Sequence, residues 1–147
     1  MESEEDYILN HIDEESEQLA ELYRKAHIRL VRPRMLAGHL QGRILKMLVR
    51  IHRPQRILEI GTYTGYATLC LAEGLSDGGE IHTVEIDDEM EDFIREQFEK
   101  SNLKDKISLY IGDVKKIISK FGGEFDMVYI DADKRDYCDY YNLYCLR

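Results

Sequence analysis

The stretch Arg56-Ile-Leu-Glu-Ile-Gly-Thr-Tyr-Thr-Gly65 constrains this chain more than any other. A short apolar run ends at Ile60, Gly61 follows at once, and Gly65 comes four positions later. The pattern predicts a buried strand over Arg56–Ile60, a tight loop, and a helix opening near Thr64. In an open α/β sheet, ligands bind outside the carboxyl ends of the strands. The loop after Ile60 therefore falls in the ligand crevice. Glycine at 61 and 65 allows sharp turns and close approach of the backbone to a ligand. Free N–H groups at the helix start suit a negatively charged group.

The identity of that ligand is constrained by what stands between the glycines. A dinucleotide loop reads Gly-x-Gly-x-x-Gly, with an acid about 20 residues further on. Here Tyr63 and Tyr66 occupy the second and third glycine positions, where their side chains would crowd a pyrophosphate. The acid is present, because Glu85 closes the run Ile81-His82-Thr83-Val84-Glu85. A ribose-bearing ligand suits this arrangement better than a dinucleotide.

The rest of the chain alternates strand and helix patterns. Apolar residues Ile8, Ile12, Leu19, Leu22, Tyr23 and Ala26 recur at roughly helical spacing, which predicts one or two N-terminal helices. Arg32-Pro33-Arg34 breaks the pattern. Leu36, Leu40, Ile44, Leu48 and Ile51 then form the apolar stripe of a helix over Met35–Ile51, stopped before Pro54. After the first strand, a helix is expected over Gly65–Glu73 with Gly74 as its C-cap. A strand over Glu80–Ile86 leads to a helix over Asp88–Lys100, capped by Asp87 or Asp88. A strand over Ile107–Ile111 leads through Gly112-Asp113 to a helix ended by Gly122-Gly123, and a strand over Phe125–Ile130 follows. Tyr137, Cys138, Tyr140, Tyr141 and Tyr144 start a last helix. Strands separated by helices imply right-handed crossovers and a parallel sheet, an α/β fold. The acids Glu59, Glu85, Asp113 and Asp131 all fall on one rim of such a sheet.

Leu58-Glu-Ile-Gly-Thr-Tyr-Thr-Gly-Tyr66, followed by Asp131-Ala-Asp-Lys134, resembles the cation-dependent O-methyltransferases, the family of catechol and caffeoyl-CoA enzymes that use S-adenosyl-L-methionine. The resemblance runs from about Met35 to Tyr141. It implies a Rossmann-like class I methyltransferase sheet in the order third, second, first, fourth strand. It divides the chain into an N-terminal helical segment, 1–34, and a cofactor-binding domain, 35–147. Family members continue with further strands, so the domain is expected to be C-terminally incomplete.

The resemblance also implies roles for residues. The segment Met35-Leu-Ala37-Gly38 touches the cofactor, which brings in Ala37. Gly61 and Gly65 form the loop, and Glu59 and Tyr63 lie near the amino-acid end of the cofactor. Outside the family, Glu59 reads as a cap for a loop amide and Tyr63 as ordinary packing. Glu85 accepts hydrogen bonds from the ribose, and Asp113 lies beside the adenine. Ala67 replaces the usual serine and leaves only its backbone N–H for the cofactor carboxylate; Thr68 is rotated about 100° round the helix and substitutes poorly. Asp131 is implied as a cofactor contact and as a ligand of a divalent cation, Mg2+ or Ca2+, and Asp133 as a further contact. Lys134 is implied as the base that deprotonates a hydroxyl of a small catechol-like acceptor. The Asp-Asn pair that completes the family's metal site would lie beyond Arg147. Alternatives are a non-catalytic cofactor-binding or interaction module, and a hydroxyuridine O-methyltransferase acting on tRNA.

Composition limits the remaining choices. A length of 147 residues fits one domain with a sizeable core. A net charge of −9 ranks the tRNA acceptor lower. No apolar run approaches the roughly 20 residues of a membrane span, and the acidic N-terminus is not a secretory leader. Three cysteines without metal spacing read as reduced thiols in a cytoplasmic protein. The five histidines show no metal spacing, and there is no nucleophile elbow. With the last strands absent, the edge Phe125–Ile130 would be open, and a second copy of the chain is expected to cover it.

Overall fold

β1 (Arg56–Ile60) lies inside a parallel sheet, flanked by β2 (Glu80–Glu85) on one side and β4 (Met127–Ile130) on the other. β3 (Ile107–Ile111) pairs with β2, so the order is β3-β2-β1-β4, as the family pattern implies. The computed structural model describes residues 3–145. Among the described residues no helix is long and apolar enough to cross a membrane.

Strand parity sorts β1 onto two cores. Ile57 packs with α3 (His39–His52) and α4 (Tyr66–Gly74) in the larger cluster. Leu58 and Ile60 point to the opposite face, toward α6 (Val114–Ile117) and α7 (Tyr137–Cys145), with Val84 and Tyr140. Glu59 shares the side of Ile57 and is wholly buried beneath α4. The N-terminal helices α1 (Glu4–Leu9) and α2 (Glu17–Arg29) precede these layers, and Leu19 and Leu22 of α2 belong to the larger core.

Several expected boundaries move, each for a local reason. The fourth strand starts at Met127 rather than Phe125, because the Asp126 carboxylate caps the opening of β1, accepting from the amides of Gln55 and Arg56 at 2.8 and 2.9 Å. The second strand ends at Glu85, and Ile86 is exposed. A 3-10 turn (Asp88–Met90) precedes α5 (Glu91–Glu99), and Asp87 is its cap, accepting from the Glu89 amide at 3.0 Å. Gly74 is the last residue of α4 rather than its C-cap. A Cβ there would meet Val49 and the Lys46 carbonyl at 2.7 and 2.8 Å, so its role is close packing of α4 on α3.

The third helix departs most from expectation. It begins at His39, after a 3-10 turn (Pro33–Met35), and ends at His52, with Arg53 as its C-cap in the left-handed region before Pro54. Its buried face is Gly42, Leu45 and Val49, while Ile44, Leu48 and Ile51 are 44%, 44% and 72% exposed. The sequence carries two stripes, and the one that packs contains a glycine, which counting apolar residues passes over. A Cβ on Gly42 would meet the Cys70 sulfur at 2.6 Å, so the helices meet at that point.

Candidate functional site

The chain must turn back on itself between β1 and α4, the crossover to the parallel strand β2. Gly61 (φ +100°), Tyr63 (φ +52°) and Gly65 (φ +83°) all sit at positive φ, a region most side chains avoid. Protein contacts by themselves already require both glycines. A Cβ at Gly61 would meet the Asp131 carbonyl oxygen at 2.2 Å, and one at Gly65 would meet the Phe98 ring at 2.5 Å. Gly61 thereby lets the loop after β1 lie directly on the turn after β4.

A cavity of about 660 Å³ opens on this rim. Of the expected site residues, Ala37, Gly61, Tyr63, Ala67, Glu85, Asp131, Asp133 and Lys134 line it. Glu59, Gly65 and Asp113 are not among its lining residues. Gly65 is the N-cap of α4 and turns toward Phe98. Asp113 caps α6, accepting from the Lys115 amide at 2.9 Å, while its neighbours Gly112 and Val114 face the cavity. Met35, Ile86, Arg135 and Tyr140 also contribute to the wall. Met35 falls in the segment singled out from the sequence; Tyr140 carried no signal beyond a helical tyrosine pattern.

The four rim acids differ in what holds them. The Glu85 carboxylate accepts from the Tyr63 amide at 2.6 Å and from the Asp87 amide at 3.0 Å. Two amides thus fix its orientation while it still faces the cavity, and a carboxylate oxygen retains a lone pair for another donor. Asp131 is exposed; its amide donates to Ile60 at 2.9 Å and its carboxylate accepts from the Tyr129 hydroxyl at 3.3 Å. That hydroxyl in turn accepts from the Gln41 side chain at 2.9 Å. Burial and the neighbouring Asp131 charge push the Tyr129 phenol well above its ordinary value.

Glu59 forms no loop cap. Its Oε2 accepts from the Thr83 hydroxyl at 2.6 Å and from the Thr68 hydroxyl, and Thr62 hydrogen-bonds Thr83 at 2.6 Å. β1, the loop, α4 and β2 are therefore joined by a buried polar cluster directly beneath the glycine turn. Burial pushes the Glu59 carboxyl up to about 8; the two hydroxyls pull down, and the charges of Asp131 and Glu85 push further up. The acid is consequently protonated at neutral pH. Strand parity explains its position, but the threonines that answer it are scattered across the sequence and form no motif.

The turn after β4 holds the remaining polar groups. Arg135 beside Asp133 holds that carboxyl down to about 2, through contacts of 3.0 and 3.1 Å from its side-chain Nε and 3.0 Å from its amide. Lys134 opens a 3-10 turn (Lys134–Asp136). Among the described residues, no group of three or more His, Cys, Asp or Glu converges as a metal site. Asp131 brings one carboxylate, whereas Mg2+ and Ca2+ take six or more oxygen ligands, waters included.

A family model described as O-methyltransferase matches residues 9–146. The chain is 31% identical over 133 residues to a caffeoyl-CoA O-methyltransferase of Stellaria longipes, covering 86% of this chain and 55% of that protein. It is 30% identical over 105 residues to a catechol O-methyltransferase of Niastella koreensis, covering 69% and 48%. Among solved structures, an SAH-bound methyltransferase of Podospora anserina superimposes with a TM-score of 0.86 at 31% identity, over 92% of this chain and 58% of that one. The O-methyltransferase from Bacillus cereus in complex with SAH gives 0.85 at 31% identity, over 92% and 63%. The chain spans about half the length of the curated relatives it matches. It belongs to the O-methyltransferase family.

Proposed function

We propose that this member of the O-methyltransferase family binds S-adenosyl-L-methionine in the rim cavity and takes part in methyl transfer to a hydroxyl of a small catechol-like acceptor. The observation that carries the reading is Glu85, a buried carboxylate fixed by two amides yet facing a cavity walled by the glycine loop. An oriented acid at the end of the second strand is the group that a ribose diol requires. The SAH-bound structural neighbours support the same cofactor.

When bound, the cofactor supplies an electrophilic methyl group on a sulfonium sulfur. The residues of this chain hold and orient it. Glu85 takes the ribose, and Ala67, in the first turn of α4, offers its amide toward the carboxylate. Lys134, on the cavity wall, removes the acceptor proton. Asp131, on the same wall, holds the acceptor's polar end. A divalent cation at Asp131 would need ligands that the described residues do not provide.

Calorimetry with S-adenosylhomocysteine and with NAD tests the cofactor. Binding of the first and not the second is expected, and Glu85→Ala should weaken it by at least tenfold. NAD binding in place of S-adenosylhomocysteine refutes the reading.

A second reading is cofactor binding without turnover, favoured by the single carboxylate at the position implied for the metal. Catechol methylation assayed with Mg2+ and then with chelator separates the two. Cofactor binding with no methylated product under either condition selects the second.

A further inference from the structure

Both tyrosines of the glycine loop reach back to the N-terminal part of the chain. Tyr66 donates its hydroxyl to the Glu15 carboxylate, in the link between α1 and α2. Tyr63 donates its hydroxyl to the Arg32 carbonyl at 2.8 Å. Residues 32–37 form a strap whose Met35 and Ala37 line the cavity. The strap is a 3-10 turn followed by extended backbone at Leu36.

Tyr63 is also the residue whose amide donates to Glu85. It holds a left-handed conformation (φ +52°) that a non-glycine residue adopts only when its surroundings enforce it. That conformation lets one residue act in two directions. Its backbone holds the acid that faces the cavity, and its side chain holds the strap that walls it.

We propose that the Tyr63 hydroxyl is a positioning group for the cofactor site: it closes the strap 32–37 over the cavity, so that strap closure and cofactor occupancy are linked. The inference rests on the cofactor reading above. Linkage is reciprocal. If closure strengthens binding, the bound cofactor must hold the strap closed by the same factor. The strap carries its own reporter, because Arg34 is exposed and offers a trypsin site before Met35.

The test uses the full chain, S-adenosylhomocysteine as probe, and Tyr63→Phe, which keeps the ring and removes only the tie. Calorimetry is expected to show about three- to tenfold weaker binding in the variant, the size of one neutral hydrogen bond. In the wild type, saturating S-adenosylhomocysteine should slow trypsin cleavage after Arg34. In the saturated variant, that protection should fall by a factor similar to the loss in affinity. A variant that melts at lower temperature but binds with wild-type affinity overturns the proposal, since the tie would then serve stability alone. Unchanged Arg34 cleavage in the saturated wild type overturns it without recourse to any variant. A wild type that does not bind S-adenosylhomocysteine overturns the cofactor reading itself, and this inference with it.

Discussion

Replacing Glu59 by glutamine should change how stability depends on pH, and the magnitude follows from burial. The carboxyl is wholly buried, and its pKa rises from 4.5 to about 8, chiefly because the charged form loses its water. Below pH 4.5 both the folded and unfolded chains hold the proton, and the contribution is fully present. Between 4.5 and about 8 the unfolded chain has released it while the folded chain still holds it. Stability therefore falls by about 1.4 kcal/mol per pH unit as pH rises through that window. Across the whole interval this amounts to about 5 kcal/mol, a large fraction of the 5–15 kcal/mol that holds an ordinary domain together. Glutamine carries no titrating proton, so Glu59→Gln removes this slope. Its carbonyl can accept from Thr68 and Thr83, but its amide falls at Oε1, which has no hydrogen-bond partner. The variant should therefore be about 1 kcal/mol less stable than wild type at pH 5. By pH 8 it should be about 3 kcal/mol more stable. Urea unfolding of both proteins at pH 5, 6, 7 and 8 measures the difference directly. The carboxyls held low by partners, such as Asp126 and Asp133, act below this window and do not confuse it. A stability difference that stays constant from pH 5 to 8 would refute the claim that Glu59 is neutral in the folded protein.

Gly61→Ala should cost about 3 kcal/mol or more, because φ is +100° and the new Cβ falls 2.2 Å from the Asp131 carbonyl; a urea midpoint near wild type would contradict that packing. Cys70, whose thiol burial pushes up to about 12, should resist iodoacetamide in the native protein while exposed Cys138 reacts, as peptide mass spectrometry after a timed pulse will show. We propose that a second copy covers the side of β4 (Met127–Ile130) that no strand among the described residues pairs with, so light scattering should report a dimer, and a stable monomer counts against it.

Much of the architecture is legible in the sequence of residues, and what is not has a common cause. β1 and β3 stand at their expected residues because each is a short run of strand-forming side chains bounded by turn chemistry. The buried face of α3 is invisible because packing there depends on an absent side chain, Gly42, set against Cys70. The same holds at Gly61 and Gly65. Their spacing signals a loop, and the reading that they admit a ligand is natural. Only the fold shows that an added Cβ would also strike Asp131 at the first and Phe98 at the second. Tyr63 and Tyr66 are noticed in the sequence for excluding a pyrophosphate. Their hydroxyls turn out to hold Arg32 and Glu15, contacts across 31 and 51 residues that no local pattern encodes.

The rim acids make the same point about chemistry. In sequence, Glu59, Glu85, Asp113 and Asp131 look equivalent, since each ends or follows a strand. Parity and neighbours separate them. Glu59 and Glu85 both point toward the α4 side, but Glu59 lies deeper and meets only hydroxyl donors, whereas Glu85 meets amides and the cavity. Two hydroxyls do not compensate a carboxylate for lost water, so Glu59 keeps its proton. Asp113 spends an oxygen on a helix cap. Asp131 remains exposed on the cavity wall, with one phenol for a partner. One pattern thus yields a buried neutral strut, an oriented carboxylate, a cap and an exposed carboxylate. Only the second and fourth of these line the cavity. On the proposed function, a mutational scan of the rim that ignores the distinction would record four losses and miss that two act through folding and two through binding.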